Sequence, residues 1–312
     1  MSRLEVGLSH LATVTVTYNP DLAVLERQLS QLPADAVKVF VDNASNVEIL
    51  SGLRTMLLEN PNAILLENAD NQGLSAALDR GVRYVLDSAW DCSLVLLLDQ
   101  DSEPETGSIQ CLTRMLATLV SAGLMPGAVG PQLRDADSGS FHGFHQMTNW
   151  RWSRAYPSVV ESQPIPVASL NGSGTLMPLA VYLHGGGLDH TLFIDHVDTD
   201  WSFRLLDKGY SLWGVPEAVF RHRMGERGLR YWLAGWRVWP QRSPQRHRYL
   251  FRNTLWLIFR PYVPRVWKTW AVMKLALTVL ICAAIDHRRV SQLRAMWQGL
   301  REGLRRLLPA WR

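Results

Sequence analysis

Two carboxylates, one residue apart, follow a continuous apolar run near position 100. The run is LVLLL at residues 94–98, and Asp99 and Asp101 come next with one glutamine between them. An apolar run without polar alternation favours a parallel strand covered on both faces, and ligands of open α/β sheets bind beyond the carboxyl ends of such strands. Carboxylate oxygens suit Mg²⁺ and Mn²⁺ together with substrate phosphates. The pattern therefore predicts a metal diphosphate site, although two acidic residues in a solvated turn look the same.

A second acidic cluster lies in LFIDHVDTDWSFR, residues 192–204, where Asp195, Asp198 and Asp200 stand within six residues. No Lys or Arg accompanies them before Arg204, so mutual repulsion should raise the pKa of at least one carboxyl. A carboxyl with a raised pKa suits a general base. If a helix begins here, Asp198 and Asp200 would instead interact favourably with its N-terminal dipole, which is the structural alternative.

His222 follows a third apolar run, in the motif FRHRMG at residues 220–225. A neutral imidazole could complete the coordination of a metal, and the neighbouring Arg221 and Arg223 could meet phosphate oxygens. A solvated histidine in a basic loop is the alternative. The two acidic clusters make the ligand interpretation the stronger one.

Short polar residues end the first two predicted strands and open a later helix. Thr17 and Asn19 lie in TYNP, Asp42 begins DNAS, and Asn71 and Gly73 lie in NQG. At a common sheet edge such groups could supply the donors and acceptors that a nucleotide base and ribose need. Asn71 could cap backbone N–H groups, and Gly73 could allow a ligand to approach closely. Turn formation and helix capping alone would also account for these residue types.

The spacing of the apolar runs predicts the sheet that would position these groups. The runs recur about every 25–30 residues, as in βα units, and amphipathic helical patterns lie between them. They are residues 12–16, 37–41, 63–66 and 94–98. Such alternation predicts an α/β fold, with a Rossmann-like sheet, right-handed crossovers and helices on both faces.

Composition and missing motifs exclude several classes. The 312 residues can form one large domain or a main domain with an appendage. Three cysteines without CxxC spacing indicate reduced thiols in a cytoplasmic protein and no zinc site. The motifs GxxxxGK[ST] and GxSxG are absent, which argues against a P-loop NTPase and a hydrolase elbow. The first twenty residues lack a basic start followed by a long apolar stretch, so we expect neither a signal peptide nor an N-terminal anchor.

Charge divides the chain into two parts. Residues 1–220 hold 12 Lys and Arg against 25 Asp and Glu, a net charge of −13, whereas residues 221–312 hold 20 against 3, a net charge of +17. Eight of the thirteen Trp lie in the basic part. Trp beside basic residues is typical of a membrane interface, so we expect an anionic membrane surface, and no nucleic acid, as its partner. We accordingly predict a catalytic domain at 1–230 and a helical membrane-associating region at 231–312.

The basic part predicts attachment to a membrane surface. A spanning helix needs about 20 apolar residues. Here Lys268 and Lys274 interrupt the run and leave eleven uninterrupted residues at 275–285. The arginines that follow, with Trp297 and Trp311, suit anionic headgroups and an interfacial helix. A tilted or re-entrant helix stays open because lysines can snorkel, as does a helix packed against the catalytic domain or a partner subunit of a homo-oligomer.

Seven motifs, taken in order, resemble one enzyme family. They are TYNP, DNAS, NQGLSAALDRG, LLLDQD, NGSGTLMP, FIDHVDTDW and FRHRMG, and they extend over about residues 10–260. The set resembles the inverting family 2 glycosyltransferases of GT-A fold, and within them most of all the bacterial rhamnosyltransferases. The resemblance implies a mixed GT-A sheet, a Mg²⁺ or Mn²⁺ cofactor and dTDP-β-L-rhamnose as the donor.

The resemblance also implies roles for individual residues around the donor. Asp42 falls at the nucleobase, Asp99 near the ribose and metal, and Asp101 at the principal metal ligand. His222 falls at a ligand of the metal or the diphosphate. The other residues predicted on the donor side are Thr17, Asn19, Asn71, Gly73 and Arg204.

For catalysis, the resemblance implies that Asp198 is the base, with Asp200 beside it. The family usually has Glu before the base, and this chain has Val197, so the choice between Asp198 and Asp200 stays open. A second departure is Asp79-Arg80-Gly81, where the family has Asn before the last Gly of its helix motif. The mechanism implied is a single in-line displacement that inverts the donor to an α-L-rhamnoside.

The acceptor implied is a bacterial cell-envelope saccharide, such as lipopolysaccharide core, O-antigen or a lipid-linked saccharide, at the cytoplasmic face of the inner membrane. The aromatic-rich residues 141–156 are our candidates for acceptor contacts. Another nucleotide sugar stays open as donor. A sugar-phosphate nucleotidyltransferase usually has a Gly-rich basic N-terminal loop, which residues 13–21 lack. A non-catalytic membrane adaptor would not explain the acidic cluster at 195–200.

Overall fold

The structure, a computed structural model, describes residues 10–159, 163–223, 229–232, 236–239 and 241–307. The start of the chain, Met224 and Gly225 of the FRHRMG motif, and Trp311 lie outside the described residues. What the sequence predicts about them therefore stays a prediction.

Strands and helices alternate along the first half of the described chain, and helices dominate its end. The strands are β1 (Leu11–Thr17), β2 (Val37–Asp42), β3 (Ala63–Glu67), β4 (Leu94–Asp99), β5 (Ser102–Pro104), β6 (Pro126–Asp135), β7 (Phe141–His142), β8 (Phe144–Met147), β9 (Trp152–Ala155), β10 (Ile165–Val167), β11 (Thr175–Pro178), β12 (Ser211–His222), β13 (Leu229–Trp232) and β14 (Trp236–Trp239). The helices are α1 (Leu22–Gln31), α2 (Val47–Leu58), α3 (Leu74–Asp87), α4 (Ser108–Ser121), α5 (Leu179–Gly185), α6 (Val197–Asp207), α7 (Pro244–Ile258), α8 (Arg265–Ile285) and α9 (Arg289–Leu307). A 3₁₀ turn, His190–Leu192, precedes α6.

One mixed sheet has the strand order β10-β12-β6-β11-β4-β1-β2-β3, with β5 paired to β12 and β7 to β6. Strands β1 to β4 pair with one another in parallel, which confirms the predicted α/β arrangement. Beyond β4 the sheet is mixed, because β11 runs antiparallel to β4. Thr17 pairs with Asp42 and Val16 with Asp99, so the carboxyl ends of β1, β2 and β4 meet at one edge.

The alternating side chains of β4 enter two cores. The even-numbered residues of 94–98 join a cluster with residues of α1 and α4, and the odd-numbered ones join a cluster with residues of α3. Because both faces of the strand are covered, the run needs no polar alternation. Helix α3 approaches β1 closely at Gly81, where a Cβ atom would lie 2.4 Å from Val14 Cγ1.

The C-terminal helices extend one of these cores. Leu257, Val263, Trp267 and Ala271 are buried in the same cluster as residues of α3 and α6. Helix α7 packs along α9, where Leu250, Phe251 and Met296 are buried together with Cys282 of α8. Helix α7 and the first half of α8 therefore pack directly on the sheet domain. The division of the chain near residue 230 stays a prediction.

Helix α8 has one buried side and one exposed apolar side. Its buried residues are Trp267, Ala271, Thr278, Ile281 and Cys282, and its exposed apolar residues include Val272, Met273, Leu277 and Leu280. In the part of the chain that the structure describes, α8 is the helix that is long and apolar enough to cross a membrane, by length and composition alone. Buried helices of soluble proteins can meet the same criteria.

Candidate active site

Asp99, Asp101 and His222 form a cluster at the carboxyl edge of the sheet. Each offers one ligand atom, and these atoms lie within 4.8 Å of one another. Asp99 ends β4, Asp101 lies in the following turn, and β5 pairs with β12 so that Ser102 lies opposite His222. His222 Nδ1 lies 3.2 Å from Asp101 Oδ1. The structure thus brings His222 next to two carboxylates that precede it by more than 120 positions in the chain (222 − 99 = 123 for Asp99).

Gln28, a buried residue of α1, holds the turn that carries the two carboxylates. Its Nε2 donates to the carbonyl oxygens of Asp99 (2.8 Å) and Ser102 (2.7 Å), and its Oε1 accepts from Thr15 Oγ1 at 3.1 Å. Asp99 N also donates to Ser102 Oγ at 3.2 Å. We did not predict Gln28 from the sequence. The available signal was a polar residue inside the apolar stripe of an amphipathic helix.

The electrostatics of the cluster favour a cation. Burial alone would lower the pKa of His222, but its hydrogen bond to Asp101 and the charges of Asp101 and Asp99 hold that pKa above its ordinary value. Ser173 Oγ donates to Asp99 and lies 3.5 Å from His222 Nδ1. The two carboxylates thus favour positive charge at this place, here the proton of the His222 imidazole. Their oxygens and the imidazole nitrogen are a suitable ligand set for Mn²⁺ or Mg²⁺.

The predicted nucleotide-binding residues lie together next to this cluster. Thr17 Oγ1 donates to Asp42 Oδ1 at 3.0 Å, and Ser45 N donates to Asp42 Oδ2 at 2.8 Å. Asn19 has a left-handed backbone, with φ of 46°, and its Oδ1 accepts from Asn46 N at 2.9 Å. These bonds shape the loops after β1 and β2. The donor-binding roles of Thr17, Asn19 and Asp42 stay predictions.

Asn71 and Gly73 shape the start of α3. Asn71 Oδ1 accepts from Gly73 N at 3.0 Å and from Asn43 Nδ2 at 2.9 Å. Gly73 has φ of 83°, and a Cβ atom there would lie 2.5 Å from a ring carbon of Phe193. In the structure this glycine allows close approach of the loop before α6, and Leu74 N donates to Phe193 O of that loop at 2.6 Å. The approach of a ligand at Gly73 stays a prediction.

The three acidic residues of the second cluster have different environments. Asp195 is paired with Arg242 (2.6 Å) and Arg246 (2.8 Å). Burial alone would raise the pKa of Asp195, but these two arginines hold it below its ordinary value. Asp198 forms no ion pair within the described residues and accepts from Thr199 N at 2.8 Å. Burial raises the pKa of Asp198 to about 6, and the charges of Asp99 and Asp195 add to the rise.

Asp200 is fully buried in a network of its own. It accepts from Arg204 Nε at 2.9 Å and from Tyr262 OH at 2.6 Å, and it pairs with Arg260. Arg204 also donates to Gly187 O at 2.8 Å and to Gly185 O at 2.5 Å. The side chains of Asp200 and Arg204 thus both have partners within the protein. In the described part of the chain, neither contacts the polar residues at the ends of β1, β2 and β4. Of the acidic residues in this cluster, Asp198 has the environment of a general base.

Helix α7 holds the loop in front of Asp198. The side-chain nitrogen of Asn253, a fully buried residue, lies within hydrogen-bond distance of the carbonyl oxygens of Leu192 (2.6 Å), Ile194 (2.8 Å) and Asp195 (3.0 Å). Within the same loop Phe193, Asp195 and His196 have positive φ values of 60°, 62° and 67°. Left-handed backbone at such residues is costly and persists only where the surroundings enforce it. We did not predict Asn253 from the sequence, where its signal is an amide on the buried side of an amphipathic helix.

A bacterial rhamnosyl transferase is similar to this chain over most of its length. The dTDP-rhamnosyl transferase RfbF of Shigella flexneri is 28% identical over 258 residues, which are 82% of this chain and 82% of that protein. No family model matches the chain.

Solved structures with the same fold include three of low sequence identity. GalNAc-T7 with UDP, GalNAc and Mn²⁺ superposes with a TM-score of 0.57 at 16% identity over 86% of this chain, which spans 57% of that longer protein. The mannosyltransferase PcManGT of Pyrobaculum calidifontis, in complex with GDP-Man and Mn²⁺, gives 0.53 at 16% identity, with 95% of this chain and 84% of that one covered. TarS residues 1–349 of S. aureus gives 0.51 at 10% identity, with 93% and 80% covered. The chain is a glycosyltransferase of GT-A fold that resembles bacterial rhamnosyltransferases.

Proposed function

We propose that the protein transfers L-rhamnose from dTDP-β-L-rhamnose to a hydroxyl of a bacterial cell-envelope saccharide, with inversion to an α-L-rhamnoside. The observation that carries the proposal is the placement of Asp198, a carboxyl with a pKa of about 6, close enough to the Asp99, Asp101 and His222 cluster for the charge of Asp99 to act on it. A base and a cation site are what an in-line displacement of a nucleoside diphosphate needs. The name of the relative from Shigella flexneri supports rhamnose as the sugar.

Asp198 is the proposed base that takes the proton of the acceptor hydroxyl. A pKa of about 6 leaves the carboxyl ionised at neutral pH and more basic than an ordinary aspartate. Asp99, Asp101 and His222 are the proposed ligands of Mg²⁺ or Mn²⁺. When bound, the cation supplies positive charge that stabilises the departing diphosphate. Two of the similar structures contain Mn²⁺, which supports a divalent metal.

The residues at the ends of β1 and β2 are the proposed contacts of the thymidine moiety. Asp42 already accepts three hydrogen bonds through Thr17 and Ser45, and a carboxylate has about four acceptor positions. One position thus remains for an N–H of the base. Asn19, Asn71 and Gly73 are proposed to line the same site, and Arg204 to act on the donor side through the loop that it holds.

The exposed side of α8 supports attachment to the cytoplasmic face of the inner membrane. It carries exposed Val272, Met273, Leu277 and Leu280, and α9 adds exposed Trp297 among its arginines. Apolar and aromatic side chains beside arginine suit an anionic lipid surface. Attachment there would bring the active site to envelope saccharides that are assembled on lipid.

The test is donor turnover. We expect release of dTDP from dTDP-β-L-rhamnose with Mg²⁺ or Mn²⁺ and an envelope saccharide, and little release from UDP-sugars or GDP-sugars. Asp198→Asn should slow release by about 10²–10⁴-fold, and the matched control Asp207→Asn, an exposed residue of the same helix, should not. Faster turnover of another nucleotide sugar would replace the proposed donor. Release of pyrophosphate from dTTP and rhamnose 1-phosphate would indicate a nucleotidyltransferase instead.

A further inference from the structure

The proposed base Asp198 lies near one end of residues 189–200, which we call the base segment. The segment begins where Asp189 caps the 3₁₀ turn, with its Oδ1 accepting from Thr191 N at 2.9 Å and from Thr191 Oγ1 at 2.7 Å. It ends at Asp200, in the first turn of α6. The position of the base therefore depends on how firmly the two ends of the segment are held.

Arg260, in the connection between α7 and α8, binds both ends of the base segment. Its Nη2 donates to Asp189 Oδ2, and its Nη1 donates to Asp200 Oδ1. Nη1 also donates to Tyr262 OH at 3.0 Å, and this hydroxyl donates to Asp200 Oδ1 at 2.6 Å. The backbone oxygen of Arg260 accepts from Lys268 Nζ at 2.8 Å, so α8 holds the arginine in turn. One guanidinium thus joins two carboxylates that are eleven positions apart in the chain (189 to 200).

These ion pairs are largely shielded from solvent. The side chain of Asp200 is 0% exposed, that of Arg260 19% and that of Asp189 23%. Burial alone would lower the pKa of Arg260, but the charge of Asp200 and the hydrogen bond to Asp189 hold it above its ordinary value. Burial alone would raise the pKa of Asp189, but hydrogen bonds from Thr191 and Arg260 hold it below its ordinary value. Arg260 and Asp189 are therefore both charged at neutral pH, and loss of either partner leaves a charge in a site where it is costly.

The middle of the base segment has a backbone that its surroundings must enforce. Phe193, Asp195 and His196 have positive φ values, and the Asn253 amide holds carbonyl oxygens of the same stretch. Residues in this conformation persist only where the packing around them leaves no alternative. A segment that is released at one end can therefore relax and carry Asp198 with it.

We propose that Arg260 is a positioning residue, which holds the two ends of the base segment at a fixed separation and thereby places the Asp198 carboxylate. The proposal rests on the proposed function, since it concerns the same base. In the described part of the chain Arg260 bonds to none of the three residues of the metal cluster, so it acts on the reaction through the base segment. The connection between α7 and α8 thus serves the reaction, although its charge alone indicates a membrane surface.

The reaction is sensitive to this placement, because a general base must lie within about 2.6–3.2 Å of the oxygen whose proton it takes. A displacement of about 1 Å can cost about 10²-fold in rate. Loss of the Arg260 link should therefore lower kcat by about 10–100-fold, which is less than the loss caused by removing the base itself. Donor affinity should change little, because the proposed donor contacts lie at the ends of β1 and β2.

Two variants remove the link from its two sides. Arg260→Lys keeps the charge but replaces two guanidinium nitrogens with one ammonium, and Asp189→Asn keeps an oxygen that can cap the turn but removes the carboxylate. Each should lower kcat by about 10–100-fold, with the affinity for dTDP in calorimetry within about twofold of the wild type. The double variant should lose no more than the larger single loss, because both changes remove one link. Arg265→Lys, at an exposed arginine where α8 begins, is the matched control and should behave like the wild type.

Amide hydrogen exchange, followed by mass spectrometry, separates positioning from folding and needs no substrate. Amides of residues 189–200 should exchange about tenfold faster in both variants, while exchange in β1, β2 and β4 stays as in the wild type. Faster exchange over the whole chain together with the loss of kcat would show a general loss of stability and overturn the positioning role. If Arg260→Lys does not fold, Asp189→Asn decides the question by the same measurements.

Failure of the proposed function would look different from failure of the positioning role. Transfer of another sugar by the wild type, with the same relative losses in the variants, would replace the proposed donor and support the role of Arg260. Transfer of rhamnose with the kcat and amide exchange of the wild type in both variants would overturn that role and leave the proposed function.

Discussion

Replacement of Asp198 by Asn should remove proton transfer and leave the donor site intact. Positioned general bases contribute about 10²–10⁴-fold to rate, so we expect kcat to fall by that factor with little change in donor affinity. In the wild type the base must be ionised. Because burial raises its pKa to about 6, kcat should rise about tenfold per pH unit below pH 6 and level off above it. The residual activity of the variant should not follow this profile.

The same substitution should stabilise the folded protein at neutral pH. The pKa of Asp198 is about 6 in the folded protein, against an ordinary value of 3.8, so the folded state holds its proton more tightly than the unfolded state. Stability is therefore lost as pH rises from about 4 to about 6, and the loss is complete above that window. A shift of this size corresponds to at most about 3 kcal/mol, and the partial exposure of the side chain reduces our expectation to about 1–2 kcal/mol.

The assay combines steady-state kinetics, calorimetric titration of dTDP and chemical denaturation at pH 7 and pH 4. Asp198→Asn should be the more stable protein at pH 7 and should match the wild type near pH 4. Asp200→Asn is the informative comparison, because it breaks a buried network with Arg204, Arg260 and Tyr262 and should lower the free energy of unfolding by about 3–5 kcal/mol. A variant at Asp198 that keeps most of its kcat, or a well-folded Asp200→Asn with the larger loss of kcat, would refute this account.

Three further changes test the rest of the site. Asp101→Ala should abolish metal-dependent binding of dTDP, as should removal of the metal by EDTA, and calorimetry with added Mn²⁺ measures both; full metal-dependent affinity in the variant would contradict the cluster. Asn253→Ala should lower kcat more than it changes KM and lower the free energy of unfolding by about 1–3 kcal/mol, because the carbonyl oxygens before Asp198 lose their buried donor; kinetics and denaturation of one preparation show whether the two losses occur together. Met273→Glu with Leu280→Glu should release the protein from anionic vesicles in a flotation assay, whereas Gln298→Glu, an exposed change on α9, should not.

Patterns of local origin could be predicted from the sequence. The run at 94–98 indicated a strand covered on both faces because each of its side chains is apolar, and the structure shows the two cores that cover it. The parallel order of β1 to β4 followed from the alternation of strand and helix patterns, since short crossovers allow few topologies. The antiparallel β11 has no such signature, because a short apolar strand has the same composition whichever way it runs. The strands of residues 141–155 were missed for a similar reason, since segments of two to four residues show no period.

Residue types identified the acidic groups, but only tertiary contacts distinguished them. The motif FIDHVDTDW contains three carboxylates that its sequence does not distinguish. Nothing in the motif indicates that Arg242 and Arg246 pair with Asp195. Nor does it indicate that Arg260 and Tyr262 bond to Asp200. Those partners lie 47 to 62 positions away in the chain, and none of them pairs with Asp198, which forms no ion pair in the described residues. The pKa of a carboxyl depends on burial and on the charges around it, which are properties of the packed chain. Sequence alone therefore determined that the chain holds an acid-rich site, and the packing of α7 and the segments on either side of it decided which of its carboxylates can accept a proton.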